Sequence, residues 1–128
     1  MTNRDISNLF KLLASLMELH EENSFKIKSY SNAYLTVRKA NDQLFNLDFG
    51  LLCKVPGIGK GIAEKIIELQ KNGSMQILED FKDKTPPGVV KMLGVRGLGP
   101  KKVQIIWKVL GIEDISDLHL ACTENRLV

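Results

Sequence analysis

One short pattern, with two glycines between apolar residues, occurs twice in this sequence. Residues 55–60 read Val-Pro-Gly-Ile-Gly-Lys, and residues 95–100 read Val-Arg-Gly-Leu-Gly-Pro forty positions later. A tight turn of this kind that opens a helix places several backbone N–H groups at the positive end of the helix, where they suit a phosphate oxygen. Two copies predict two contacts with one phosphodiester backbone, and therefore a nucleic-acid partner.

The residue types inside each copy fit this chemistry. We expect the glycines to adopt positive φ and to let another backbone approach closely, and we expect the apolar residue between them to plug the turn into the core. Lysines beside the turn add positive charge, and phosphate contacts of this kind are independent of base sequence and weaken with salt. The predicted DNA-binding residues of the two turns are Gly57, Ile58, Gly59, Lys60, Gly97, Leu98, Gly99, Lys101 and Lys102. The alternative is that both turns serve only packing or bind a protein partner.

Helical periodicity around the two turns predicts an all-α fold, a small helical bundle. Thr2 and Asp5 have the spacing of a capping box, and the apolar pattern after them predicts a first helix that ends near residues 22–23. Ser24 is the predicted cap of a second helix. The inward-facing positions of that helix are predicted to be Phe25, Tyr30, Ala33, Tyr34 and Val37.

The remaining elements are short helices bounded by glycine and proline. Helices are predicted over residues 48–54, 60–71 and 76–81, with Gly73 as the left-handed cap of the middle one. Thr85 and Pro86 read as the N-cap and first residue of a further helix, and Pro100 as the first residue of the next, which ends before Gly111. Ser116 is the predicted cap of a last short helix through Cys122. The boundary near residue 85 divides the chain into residues 1–84 and 85–128.

Charge is segregated along the chain although the net charge is only +3. No acidic residue occurs between Asn23 and Asn41 or between Lys84 and Ile112, whereas both stretches carry several lysines and arginines. Such segregation can form a basic face on a nearly neutral protein. Cys53 and Cys122 lack metal-site spacing and are expected to be reduced, buried thiols. No signal or membrane-spanning segment is found, so we expect a soluble cytoplasmic protein, monomeric and without a membrane partner.

The repeated turn is the helix-hairpin-helix motif, and the order of motifs resembles the N-terminal region of family X DNA polymerases, the bacterial members above all. The resemblance covers nearly the whole chain and includes Asn-Ser-Phe-Lys from residue 23, Ile-Ala-Glu-Lys-Ile from residue 62 and Gly-Leu-Gly-Pro-Lys-Lys from residue 97. It implies a lyase-type domain and a second hairpin subdomain that hold gapped, nicked or abasic DNA in repair. Nucleotidyl transfer needs clustered carboxylates for two metal ions, and no Asp-x-Asp pair is present. The Mg²⁺-binding palm is therefore missing, and we expect the chain to be part of a larger polymerase.

The resemblance also implies a catalytic lysine. Lys65 matches the lysine that, in eukaryotic members, attacks the C1′ aldehyde of an abasic sugar and removes 5′-deoxyribose phosphate in base excision repair. A lysine becomes nucleophilic when neighbouring cations or desolvation lower its pKa, and Lys60 and Lys26 are candidates for that role. Lys26 also matches a lysine of the family's 5′-phosphate pocket. Two other pocket lysines are replaced by Gly61 and Ile77, a stacking histidine is replaced by Phe25, and Glu68 lies one turn from Lys65, so a non-catalytic Lys65 stays open.

The family's hairpins hold a monovalent cation, Na⁺ or K⁺, through backbone carbonyl groups. By position these are the carbonyls of Cys53, Val55, Ile58, Leu93, Val95 and Leu98. The remaining candidates for chemistry are isolated, because His20 and His119 have no partner pattern and Trp107 shares a helical stripe with Val103 and Leu110. We expect the histidines to pack or to place a charge at a helix end, and the tryptophan to belong to the core.

Overall fold

The computed structural model describes residues 1–95 and 98–111, and these residues fold mainly into helices. Seven α-helices follow one another: α1 (Asn3–Leu19), α2 (Ser24–Lys39), α3 (Phe49–Lys54), α4 (Lys60–Asn72), α5 (Gln76–Asp83), α6 (Pro87–Leu93) and α7 (Pro100–Gln104). A 3-10 turn (Leu44–Asn46) precedes α3, and α7 continues as a π-helical turn (Ile105–Val109). The all-α prediction is confirmed for these residues, and the predicted helix from Ser116 to Cys122 lies outside them.

Helix α1 is the centre of the core. Its start is the predicted capping box, in which Asp5 N donates to Thr2 Oγ1 at 3.2 Å and Thr2 N donates to Asp5 Oδ2 at 2.9 Å. Six of its apolar side chains are fully buried: Ile6, Phe10, Leu13, Leu16, Met17 and Leu19. The helix packs against α2, α5, α6 and α7. It ends at Leu19, short of the predicted residues 22–23, because Glu21 adopts a left-handed φ of 57° and turns the chain.

Helix α2 packs along α1 in a narrower stripe than the sequence predicts. Its N-cap is Asn23, whose side chain accepts from Phe25 N at 2.8 Å, so Ser24 is the first helical residue rather than the cap. Ala33 and Val37 are buried, whereas Phe25 is 78% exposed and its predicted inward position is wrong. The reason is angular, since residue 25 lies about 100° around the helix from the centre of the buried stripe.

The first hairpin joins α3 to α4 and is pressed against α2. Ile58 is buried as predicted, and Gly57 has the predicted left-handed conformation, with φ 90°. Gly59 and Gly99 do not, since their φ values are −88° and −80°. The physical reason is that both are N-cap residues, which take extended backbone angles. A Cβ atom on Gly57 would lie 2.7 Å from Thr36 Oγ1 on α2, so the close approach predicted for these glycines occurs at Gly57.

The end of α1 is joined to the second half of the chain by a polar junction at His20. Thr85 donates its hydroxyl proton to Phe81 O at 2.7 Å, so its oxygen accepts from His20 Nε2, also at 2.7 Å. The imidazole meets Trp107 edge-on at 5.5 Å, which confirms packing as the role of His20. Thr85 is buried here and the N-cap of α6 is Pro86, one residue later than predicted. The division into residues 1–84 and 85–128 stays a prediction.

The pKa of His20 lies below its ordinary value of 6.5. Burial of the ring lowers it most, and the nearby charges of Lys108 and Lys84 lower it further. Protonation of the ring is therefore more costly in the folded protein than in the unfolded chain.

We expect Gly57→Ala to lower the free energy of unfolding by about 1–2 kcal/mol or more, because an L-residue is strained at this φ and its Cβ would meet Thr36. Gly61→Ala is the matched control. Gly61 lies in the first turn of α4 with open space around it, so alanine there should leave stability unchanged or raise it by up to about 1 kcal/mol. Urea unfolding of both variants measures the difference, and equal midpoints would contradict the tight Gly57–Thr36 contact.

The stability of the protein should fall as the pH falls through about 6.5, because the unfolded chain takes up the His20 proton first. His20→Gln keeps a side-chain N–H donor for Thr85 and removes the titration, so it should flatten the dependence of unfolding free energy on pH between 8 and 5. Urea unfolding at several pH values tests this. The lowered pKa of Asp5, caused by its hydrogen bonds from Thr2, acts in a separate window below about 3.8. Identical pH profiles for the variant and the parent would contradict the assignment.

Candidate nucleic-acid interface

The first hairpin leaves three backbone donors open at the start of α4. Ile58 N donates to Val55 O at 3.0 Å and Ala63 N donates to Gly59 O at 2.9 Å, which closes the turn and begins the helix. The N–H groups of Lys60, Gly61 and Ile62 have no acceptor among the described residues. These groups carry the partial positive charge of the helix start, so the turn can bind one anionic oxygen.

Three other helices of this chain begin differently. The N-terminal donors of α1, α2 and α3 are capped by side-chain oxygens of Thr2, Asn23 and Asp48. The N-cap positions of α4 and α7 hold glycines, which have no side-chain oxygen to offer. Helices α5 and α6 also lack a side-chain cap, although Gln76 N at the start of α5 donates to Glu68. The helices α4 and α7 are therefore set apart by a glycine N-cap at a hairpin turn, which leaves their open donors accessible to an external group.

The second hairpin repeats the first with one donor fewer. Leu98 N donates to Val95 O at 3.1 Å and Val103 N donates to Gly99 O at 3.1 Å, as at the equivalent positions of the first turn. Pro100 is the first residue of α7 and has no N–H, so the open donors are those of Lys101 and Lys102. Gly97, which the sequence predicts to bind DNA, lies outside the described residues. The described residues of the two turns thus make equivalent backbone hydrogen bonds, and the second helix start has one open donor fewer than the first.

Lysine side chains surround both turns and are available to an anion. Lys60, Lys101 and Lys102 are exposed, and none of them is in an ion pair within the described part of the chain. Lys26, in the first turn of α2, lies 4.0 Å from Glu22 with 61% of its side chain exposed. An exposed pair at this distance contributes little to stability, so Lys26 can still meet a phosphate.

Lys65 is set apart from the hairpin lysines. It lies five residues after Lys60, about 140° around α4, and its side chain is half-buried. Glu68 does not pair with it, because the Glu68 carboxylate accepts from Gln76 N at 2.6 Å and anchors the start of α5. The structure therefore does not place Lys60 on the same face as Lys65. The catalytic assignment of Lys65 stays a prediction.

Tyr30 packs against the core and lies near Glu68 of α4. Its ring stacks on Phe10 with the centroids 6.0 Å apart. Burial raises the pKa of the Tyr30 phenol, and the Glu68 carboxylate raises it further, so the phenol stays protonated. This position agrees with a packing role for Tyr30.

The backbone carbonyls predicted to hold a monovalent cation occupy equivalent places in both hairpins. Val55 O and Val95 O each accept the N–H three residues later, while Cys53 and Leu93 lie in the last turns of α3 and α6. Carbonyls at helix ends lack intrahelical donors, and oxygen ligands of this kind suit a hard cation. The assignment of Na⁺ or K⁺ to these carbonyls, including those of Ile58 and Leu98, stays a prediction. Cys53 is half-buried rather than buried and forms no disulfide within the described residues, and Cys122 and His119 are outside them.

Two further kinds of feature are absent from the described residues. They contain no group of three or more His, Cys, Asp or Glu side chains placed to bind a metal ion. None of their helices is long and apolar enough to cross a membrane.

The contact of the first hairpin with α2, between Gly57 and Thr36, is not predictable from local sequence patterns. The same holds for Lys28 and Lys39 on α2, to which the sequence patterns assign no site role. The absence of acidic residues between Asn23 and Asn41 was the signal that could have pointed to this surface.

Comparison with known proteins agrees with this geometry. Residues 1–75 match the family described as "Helix-hairpin-helix domain". Over 127 residues, 99% of this chain, the sequence is 32% identical to the DNA polymerase/3'-5' exonuclease PolX of Bacillus subtilis (strain 168), and the chain spans 22% of that protein's length. This match confirms the resemblance to family X DNA polymerases. Because the match over residues 1–75 covers more than half of the sequence, the chain belongs to the helix-hairpin-helix domain family.

Proposed function

We propose that this chain binds DNA through its phosphate groups, independently of base sequence, as the DNA-binding part of a family X DNA polymerase. The observation that carries the proposal is a pair of helix starts with glycine at the N-cap position, each with open backbone donors and exposed lysines. Backbone donors and lysines recognise the phosphodiester and carry no base information. The relative in Bacillus subtilis is a DNA polymerase and 3'-5' exonuclease, which supports DNA as the polymer.

The proposed substrate is gapped or nicked DNA in base excision repair. Two hairpins on one small core suit two DNA segments on either side of an interruption, the first turn holding the downstream strand and the second the primer strand. Phe25 supports this substrate, because its ring is 78% exposed in the first turn of α2, directly before Lys26. An exposed aromatic ring beside a phosphate-binding lysine can stack on an unpaired base.

The double variant Gly59→Val/Gly99→Val should fold normally and lose DNA affinity. Both positions have extended backbone angles and no atom within 4 Å of a Cβ, so valine fits, while its methyl groups block the approach of a phosphate to the open donors. We expect at least a tenfold rise in Kd for a 5′-phosphorylated, single-nucleotide-gapped duplex, measured by fluorescence anisotropy. The Kd of the parent should also rise steeply with salt, with a slope in log K of about 0.9 per phosphate contact.

Gly50→Ala is the control for this experiment, since it adds one methyl group at a helical glycine of α3 that supplies none of the open donors of α4 and α7. It should bind DNA within about twofold of the parent. Unchanged binding by the valine variant, or salt-insensitive binding by the parent, would contradict the phosphate-contact proposal and favour a packing or protein-binding role for the hairpins.

A second candidate function is 5′-deoxyribose-phosphate lyase activity through Lys65. The observation in its favour is that Lys65 is half-buried while the nearest acidic residue on its face, Glu68, is engaged with the α5 backbone. An amine in this setting can add to the C1′ aldehyde of the sugar and, with loss of water, form a Schiff base from which β-elimination proceeds.

Borohydride reduction in the presence of DNA with a 5′-deoxyribose phosphate tests the lyase. A working Lys65 should give a covalent protein–DNA adduct that is lost in Lys65→Ala and retained in Lys71→Ala, which changes an exposed lysine in the last turn of α4. Lys65→Ala should keep its affinity for uncleaved gapped DNA within about threefold. Absence of an adduct with the parent protein would remove the lyase and leave the binding function in place.

A further inference from the structure

The exposed face of α2 carries a stripe of four residues that are not part of the proposed hairpin contacts. Lys28, Asn32, Leu35 and Lys39 are spaced by four, three and four positions, so they follow one line along the helix, and all four are exposed. We call them the α2 stripe. Helix α2 contains no acidic residue, and neither lysine of the stripe is in an ion pair within the described ranges. The stripe is therefore a basic line with an apolar side chain near its middle.

The first hairpin borders the α2 stripe on one side. Thr36 lies about 70° around the helix from the mean direction of the stripe and is the residue that Gly57 contacts. Thr36 and Lys39 also line a groove together with Val55 and Pro56 of this hairpin. The open donors of α4 begin only four residues after Pro56.

The second hairpin borders the stripe on the opposite side. Tyr34 lies about 130° from the mean direction of the stripe in the other sense. Ser31, Tyr34 and Leu35 line a groove together with Pro100, the first residue of α7. Arg38 belongs to this side as well, since its Nη1 donates to Tyr34 Oη at 2.7 Å. The α2 stripe thus lies between the two helix starts that hold open donors.

We infer that the α2 stripe is a third DNA contact, which binds phosphate groups of the DNA that spans the two hairpins; this inference rests on the proposed function. Lys28 and Lys39 supply ammonium groups near the two ends of the stripe, and the Asn32 amide can donate to a phosphate oxygen between them. Leu35, 46% exposed, offers an apolar contact to a deoxyribose ring. Two acidic residues, Asp42 and Glu18, line the bordering grooves together with Lys39 and Leu35 of the stripe, so the surface free of acidic residues is that of α2 itself.

The double variant Lys28→Gln/Lys39→Gln tests the third contact with the same gapped duplex. Loss of two phosphate contacts should lower the slope of log K against log salt by about 1.8 and raise the Kd about tenfold at low salt. The matched control is Lys71→Gln/Lys82→Gln, which removes two charges from lysines that line neither bordering groove. It should keep the slope of the parent. An equal effect of the two double variants would overturn the inference, because net charge alone would then explain the loss.

Leu35→Glu and Leu35→Gln form a second test that leaves both lysines in place. The half-exposed position tolerates either side chain, and only glutamate places a negative charge in the middle of the stripe. We expect a Kd at least fivefold higher for the glutamate variant than for the glutamine variant, with equal urea midpoints. If the lysine and leucine variants bind like the parent while Gly59→Val/Gly99→Val does not, the third contact is excluded and the hairpin function stands. A parent protein that binds no DNA would overturn both.

Discussion

The burial of helix α1 is the constraint on which the rest of this structure depends. Phe10, Leu13, Leu16 and Met17 are among its side chains with no exposed surface, and four other helices meet on it. A helix buried on most of its surface must be covered by neighbours with matching apolar stripes, because each large apolar side chain stabilises the fold by about 1.5–3 kcal/mol only when it leaves water. Covering α1 is what brings α2 and α7, and with them both hairpins, onto one small core.

The helix starts of this chain are satisfied in different ways. Side-chain oxygens cap α1, α2 and α3, as Thr2 does for α1 and Asp48 does for α3, whereas α5 and α6 have no side-chain cap. Where a hairpin begins a helix, glycine at the N-cap removes that oxygen and also keeps the approach clear. Glycine at an N-cap is less favourable than serine or aspartate by only about a few tenths of a kcal/mol, so the open donors cost the fold little. An anion bound to them would stabilise the folded state.

Sequence patterns sufficed wherever the signal was local. The capping box at Thr2, the left-handed cap at Gly73 and proline at the start of α7 were all predictable, because each depends on residues a few positions apart. The errors came from tertiary context or from the wrong turn position. Phe25 has the hydrophobicity of a core residue but lies off the buried stripe, and the seat of Gly57 on α2 joins residues far apart in sequence. The sequence alone predicted the hairpins, whereas the surface between them could be recognised only from the packing of α2.

Because both hairpins are attached to one core, a ligand with two anionic groups can contact both turns only at a fixed separation. The polar junction of His20 with Thr85 and the contacts of α1 with α7 fix the second hairpin relative to the first without a flexible linker. A polyanion held at one turn therefore meets the other at a preset distance, so the second engagement has a high effective concentration and costs little additional ordering. Two individually weak, salt-sensitive contacts can then act with the avidity of one site, and a ligand whose phosphates do not match the spacing gains none of it.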